Sequence, residues 1–351
     1  MRTTACCLGA ALLTALFAPG AFAAAANKQA RVAPAAPAPT VQAAIDGVLD
    51  LFKTKPIVAL ADVHGLAQED DFYSAIVRDP RFAEQVGNVV VEFGGAIAQG
   101  TIDRYVAGED VPFTELRRVW TDVVGWFPGE TQRLGFVNFY ANVRAANLRE
   151  TPEHRIKVWL GDPKIDWSQV HSFGDVGPLL GQRDEKLFAI LSDILNRHQK
   201  VLLIVGFGHL LAADGPARLG ARIISAYAGS LAIVAPFGGY AEAACTARVL
   251  ARAKSWRTPS LAYPIPGSWL KSQLQLPKCH ALLPADQADA LLYLGPPDRF
   301  TQSPLEPSVY LDSEYLKELS RRSQCCTPSR QPLNWQALLW QNPAAARKFE
   351  P

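Results

Sequence analysis

The feature that most constrains this chain is a series of short apolar runs, each stopping abruptly at glycine or at a side chain able to do chemistry. Residues 56–61 run into Asp62-Val63-His64-Gly65, and 88–91 into Glu92-Phe93-Gly94-Gly95. Residues 156–160 run into Gly161-Asp162, and 200–205 into Gly206-Phe207-Gly208-His209. Two further runs, 230–235 and 289–294, end in Pro236-Phe237-Gly238-Gly239 and Gly295-Pro296-Pro297. Runs of this length, rich in Val, Ile and Leu, suit strands buried on both faces. Helical periodicity fills the gaps at residues 68–85, 101–106, 131–148, 183–198 and 213–228, and an amphipathic helix is expected over 41–52. The alternation predicts an α/β fold: a mostly parallel sheet flanked by helices, with a helical insertion between the second and third of these strands.

In open parallel sheets, ligands sit beyond the carboxyl ends of the strands. Asp62, His64, Glu92, Asp162 and His209 all fall at or just after such ends, so they are expected along one sheet edge. A carboxylate at the inner end of a run such as 88–91 is costly unless paired or ligated, which singles out Glu92. Two imidazoles and one carboxylate serve either of two chemistries. One histidine can take a proton from water while the acid orients it and the second histidine donates to the leaving group. Alternatively, His64, Glu92 and His209 form a facial triad for a divalent metal. Arg183, which opens a helix, is placed to pair with Glu92 or to grip a substrate carboxylate. Its neighbours Asp184 and Glu185 are accounted for by the orphan amides of the first helical turn. No G-x-S-x-G elbow and no phosphate-binding loop is present.

Residues 113–140 carry Trp120, Trp126, Phe127, Phe136, Phe139 and Tyr140. A helical pair there would form a lid with an apolar inner face. Asp162, Trp120, Trp126 and Phe127 are the expected substrate contacts, for a small and partly apolar substrate.

The order of these motifs resembles the superfamily of erythromycin esterases, ChaN-like haem-binding proteins and TraB/TIKI proteins, over roughly residues 56–235. The carriers are Ala61-Asp-Val-His64-Gly, the Val-Val-Val-Glu92 run twenty-eight residues on, Arg183-Asp184 leading a helix, and Gly-Phe-Gly-His209. The esterase resemblance implies His64 as general base, Glu92 as supporting carboxylate and His209 as a second catalytic histidine, with Arg183 in the same cleft. The TIKI resemblance implies a divalent metal on His64, Glu92 and His209 for peptide hydrolysis. The ChaN resemblance implies haem binding, with uptake rather than catalysis. The sequence departs from the esterase pattern at Asp62, where a glutamate is usual.

The N-terminus supplies Arg2, an apolar stretch over 6–17, a Pro19-Gly20 break and Ala21-Phe22-Ala23, which together predict a signal peptide over 1–26 and a periplasmic or secreted protein. An Ala/Pro-rich leader is expected over 27–40, the catalytic-type domain over 41–316 and a C-terminal arm over 317–351. No other run is apolar enough to span a bilayer, so no stable membrane insertion is expected after cleavage. Net charge is +2 and no Lys/Arg run exceeds two residues, which argues against nucleic acid as a partner. Cleavage would leave Cys245, Cys279, Cys325 and Cys326, an even set for disulfides in an oxidising compartment. The adjacent Cys325 and Cys326 are expected to bond different partners and so to tie the arm to the domain.

Overall fold

The computed structural model describes residues 36–125, 132–275 and 285–327. The expected signal peptide, Trp126, Phe127, Cys279 and the end of the C-terminal arm lie outside them.

Among the described residues, eight strands make one sheet: β1 (Thr40–Ala43), β2 (Ile57–Asp62), β3 (Asn88–Gly95), β4 (Lys157–Asp162), β5 (Val201–Gly206), β6 (Leu231–Pro236), β7 (Ser260–Tyr263) and β8 (Ala290–Tyr293). Their order across the sheet is β1-β7-β8-β6-β2-β5-β3-β4. β4, β3, β5, β2, β6 and β8 run parallel, while β7 is antiparallel to both β8 and β1. The sheet is thus mostly parallel and flanked by helices, as the run-and-helix alternation requires.

The centre of the sheet is buried on both faces. Every residue of β2 and β5 is buried. Along β2, Val58 and Leu60 face one apolar layer while Ile57, Ala59 and Ala61 face the other, the period-two alternation of a strand. The Val58 side packs with Val48, Tyr73, Ile76, Phe139 and Val143 of the helices Ala44–Leu51, Ala67–Arg78 and Leu134–Asn147. The Ile57 side packs with Leu187, Leu191, Ile194 and Ile223 of Arg183–Asn196 and Leu219–Ala226. Each fully buried Val, Leu or Ile contributes roughly 1.5–3 kcal/mol to such a core.

Three expectations need correction. The helix expected over 41–52 is preceded by an edge strand: residues 40–43 pair with β7 and the helix begins at Ala44. The helix expected over 68–85 breaks at Asp79-Pro80, where the ring excludes the residue before it from helical backbone and the Asp79 carboxylate caps Arg81 N at 3.0 Å. Cys325 and Cys326 bond each other, and Cys245 is disulfide-bonded as well. The arm is tied down by other means. Its helix, Ser313–Cys326, begins before residue 317 and buries Tyr315, Leu319 and Arg322 against the domain. Arg322 donates to Thr121 O at 2.6 Å and sits 3.3 Å from Asp122.

Between β3 and β4 lies the helical insertion, including Gln99–Val106 and Leu134–Asn147. Four of its aromatics are core, while Phe113 is exposed. Trp120, Phe136, Phe139 and Tyr140 are all at most 1% exposed, and Phe136 stacks on Phe93 at 4.1 Å between centroids. Among the described residues, no helix is long and apolar enough to cross a membrane.

Candidate functional site

The strand order brings the chemistry together. β5 is inserted between β2 and β3, so the ends of these three strands are neighbours at the point where the direction of winding reverses. His64 follows β2 by two residues, Glu92 lies within β3, and His209 sits on the short helix Phe207–Leu210 directly after β5.

Glu92 owes its aim to an irregularity. Val91 pairs with Leu160 and Gly95 with Asp162, so four steps on β3 oppose two on β4. A bulge of this kind turns a side chain out of the ladder. Gly95 is required because a Cβ there would lie 1.9 Å from Asp122 O. At the end of β5, a Cβ on Gly206 would lie 2.8 Å from Glu92 Oε1 and 3.1 Å from His64 Nε2. The missing side chain at Gly206 is what lets the acid and the imidazole meet.

The resulting cluster alternates acid and base. Asp62 Oδ2 pairs with His64 Nδ1, and His64 Nε2 lies 3.2 Å from Glu92 Oε1. On the other oxygen, His209 Nε2 lies 2.8 Å from Glu92 Oε2, while His209 Nδ1 pairs with Asp184 Oδ1. The Glu92–His209 contact is close in distance but off the line of a hydrogen bond, so Oε2 has no aligned donor. Gly206 N donates to Glu92 Oε1 at 2.6 Å. Arg183 Nε donates to Asp162 Oδ1 at 2.7 Å and its Nη2 lies 3.6 Å from Glu92 Oε2. Asp162 also accepts from Val124 N and Gly125 N.

Burial alone would raise the pKa of Glu92; His209, His64 and Arg183 overcome it and hold the carboxyl at about 2. Burial alone would lower that of His209; Asp184 and Glu92 overcome it and lift the imidazole to about 9. At neutral pH the pair is therefore carboxylate and imidazolium. Exposure separates the two histidines: the His64 side chain is 37% exposed and that of His209 12%. His64 is the imidazole that water reaches.

All five residues expected to carry chemistry, Asp62, His64, Glu92, Arg183 and His209, are thus brought together. Asp62, although one methylene shorter than the usual glutamate, reaches His64. Asp162 is 1% exposed and anchors Arg183 and the 124–125 backbone rather than facing an open cleft; Trp120 is sealed in the core. Asp184 was missed as a site residue because an acid in a first helical turn has a sufficient local explanation. Its actual partners are His209 and, at 3.2 Å, Leu219 N.

A further layer lies behind His64. Tyr73 Oη donates to Asp62 Oδ1 at 2.9 Å, and Glu69 Oε2 accepts from Val63 N at 2.9 Å. Glu69 and Asp70 are 1% and 3% exposed. Burial, with the Asp62 charge adding to it, raises both, Asp70 to about 8. The loop carrying His64 is strapped from outside by residues 301–303. Ala67 N donates to Thr301 O, Ser303 N to Gly65 O, and Leu66 bridges Gln302.

For a metal ion, the group whose ligand atoms lie within 4.8 Å of one another is Asp62, His64 and Glu92. This differs from the expected set in replacing His209 by Asp62. The reason is that Glu92 presents separate oxygens to its two histidines, and His209 Nδ1 is taken by Asp184. One nitrogen and two oxygen donors suit a borderline or hard divalent ion.

No family model matches the chain, and no curated protein matches it. Among solved structures, a Bacillus cereus protein aligns at a TM-score of 0.46 and 12% identity, over 72% of this chain and 92% of that one. ChaN of Campylobacter jejuni, in a structure of its cofacial haem binding, aligns at 0.33 and 12% identity, over 70% and 90%. Scores this low give neither likeness weight for function.

Proposed function

We propose that this protein hydrolyses an ester- or amide-type bond in a small, partly apolar substrate, with His64 as general base and His209 as general acid. The observation that carries this is the division of labour between two Asp-supported imidazoles on one carboxylate: one open to water, the other buried and held protonated. Two imidazoles that differ in this way in their access to water can take different parts in one proton-transfer reaction. In this reading His64 takes a proton from water. Asp62 fixes the ring through Nδ1 and balances the positive charge that develops on it. His209 donates to the leaving group, and Glu92 orients both rings. Arg183 adds to the histidines in keeping Glu92 ionised and is the nearby cation for charge building up on the carbonyl oxygen. The N-terminal sequence supports export to the periplasm or beyond as part of the same proposal.

The test is a panel of esters and lactones with His64→Ala as control. The variant is expected to lose turnover by a factor of about 10²–10⁴ with its melting temperature nearly unchanged. Unfolding without a selective loss of activity would make His64 structural and end the proposal.

A second reading rests on the Asp62, His64 and Glu92 group. These residues would hold a divalent ion, which would lower the pKa of a bound water and polarise the scissile carbonyl. Elemental analysis of the purified protein, with turnover measured before and after chelation, separates the two readings.

A further inference from the structure

At the opposite edge of the sheet, where β3, β4 and β5 begin, the chain forms a hollow of about 470 Å³. It is far from neutral. Arg155, Lys157, Arg197 and Lys200 line it, against Glu84 and Glu153. Glu153 is occupied by its own backbone and by Thr151. Arg197 is paired with Asp193. Among the described residues, Arg155, Lys157 and Lys200 have no carboxylate within ion-pair distance, and the buried Arg155 Nε has no acceptor at all. A buried donor without an acceptor costs about 1–3 kcal/mol, so a site that keeps one invites a ligand that supplies it.

The floor of the hollow is fixed. Trp159 Nε1 donates to Asn88 Oδ1 at 3.1 Å, and Asn88 Nδ2 donates to Lys200 O at 3.2 Å, which ties the starts of three strands together. Lys157 Nζ is held 3.8 Å from the Trp159 ring centre, with Arg197 at 5.7 Å. The cations therefore stand on a rigid base rather than on a mobile loop.

We infer that this hollow is an anion site for a phosphate-bearing ligand, separate from the His64–Glu92–His209 cluster. Three cations without an ion-pair partner, two from residues 155–157 and one from the start of β5, suit a dianionic group with three outward oxygens better than a carboxylate with two. The volume leaves room beyond one phosphate for a second phosphate or an organic group. Free phosphate compounds and phospholipid headgroups share this chemistry, and the test tells them apart.

Calorimetric titration of the whole protein with inorganic pyrophosphate, and co-sedimentation with phosphatidylglycerol or phosphatidylcholine vesicles, are compared for the wild type, Arg155→Gln/Lys157→Gln and Lys200→Gln. Saturable pyrophosphate binding that weakens at least tenfold in the double variant, and also weakens in Lys200→Gln, supports the site with a soluble ligand. Binding to phosphatidylglycerol vesicles alone, lost in the same variants, supports it with a headgroup. Arg183→Gln is expected to leave either interaction intact. Absence of saturable binding to both probes overturns the inference. So does binding that the hollow's variants leave unchanged or that Arg183→Gln abolishes. Circular dichroism and melting curves confirm that the hollow's variants, at exposed or half-exposed positions, and the more buried Arg183→Gln remain folded.

Discussion

Glu92 Oε2 and His209 Nε2 lie 2.8 Å apart, nearly sealed from solvent, with His209 holding the carboxylate in its charged form and Glu92 joining Asp184 in holding the imidazolium. Removing the charge from one should be legible in the other. In Glu92→Gln the His209 pKa is expected to fall from about 9 toward its ordinary range, read by NMR titration of the imidazole. Turnover should drop at least a hundredfold. An unmoved His209 titration would mean that the contact is not a charge pair in solution.

The same groups set a stability profile. His209 titrates above its unfolded value of 6.5, so its contribution is complete below that pH and disappears as pH rises through about 9. Glu92 titrates below its unfolded value of 4.5, so its contribution is complete above that pH and disappears as pH falls through about 2. Asp70, raised from 3.8 to about 8, favours the fold only while protonated and progressively disfavours it between those values. Melting temperature against pH should therefore decline on the alkaline side before pH 9. Asp70→Asn should flatten that decline and raise stability at pH 8 by on the order of 1 kcal/mol or more. An identical profile in the variant would place Asp70 in a wetter setting than its burial indicates.

At the end of β5, Gly206→Ala should act on the site more than on the fold. The new methyl meets the tip of Glu92 and the edge of His64. Overpacking of this kind costs typically 1–3 kcal/mol, whereas displacing the reacting groups by a fraction of an ångström should cost at least tenfold in kcat. Activity and urea denaturation measured together give the comparison. A variant with full activity would show that the Glu92–His64 approach is not needed.

Arg322 is 5% exposed at its side chain, next to Asp122 at 10%. Arg322→Ala removes its contacts with Asp122 and Glu318 and leaves Thr121 O without that donor, while Asp122 keeps Arg118 at 2.8 Å, a loss of about 1–3 kcal/mol. Urea unfolding should show it, and an unchanged midpoint would mean that the arm is held by its apolar contacts alone.

The central strands were legible because burial on both faces leaves an uninterrupted apolar run, and the site residues because each breaks such a run. Strands β1 and β7 left no comparable mark. They are four residues each and owe their state to pairing, β1 with β7 and β7 also with β8, information that is not local. Asp184 looked like an ordinary first-turn acid, and its contact with His209 depends on how the Arg183–Asn196 helix packs beside β5. Glu69 and Asp70 carried the same disguise at the start of the Ala67–Arg78 helix. Trp120 misled in the opposite direction, since an aromatic reads alike whether it faces a substrate or the core.

The strap of residues 301–303 across the His64 loop has a consequence for how the protein is made. Four of the catalytic-type residues are synthesised within the first 184 positions and the fifth by 209, yet the segment that fixes Gly65 and Leu66 emerges almost a hundred residues later. A nascent chain can build its central strands early, but its histidine loop stays unbuttressed until residues 301–303 have followed.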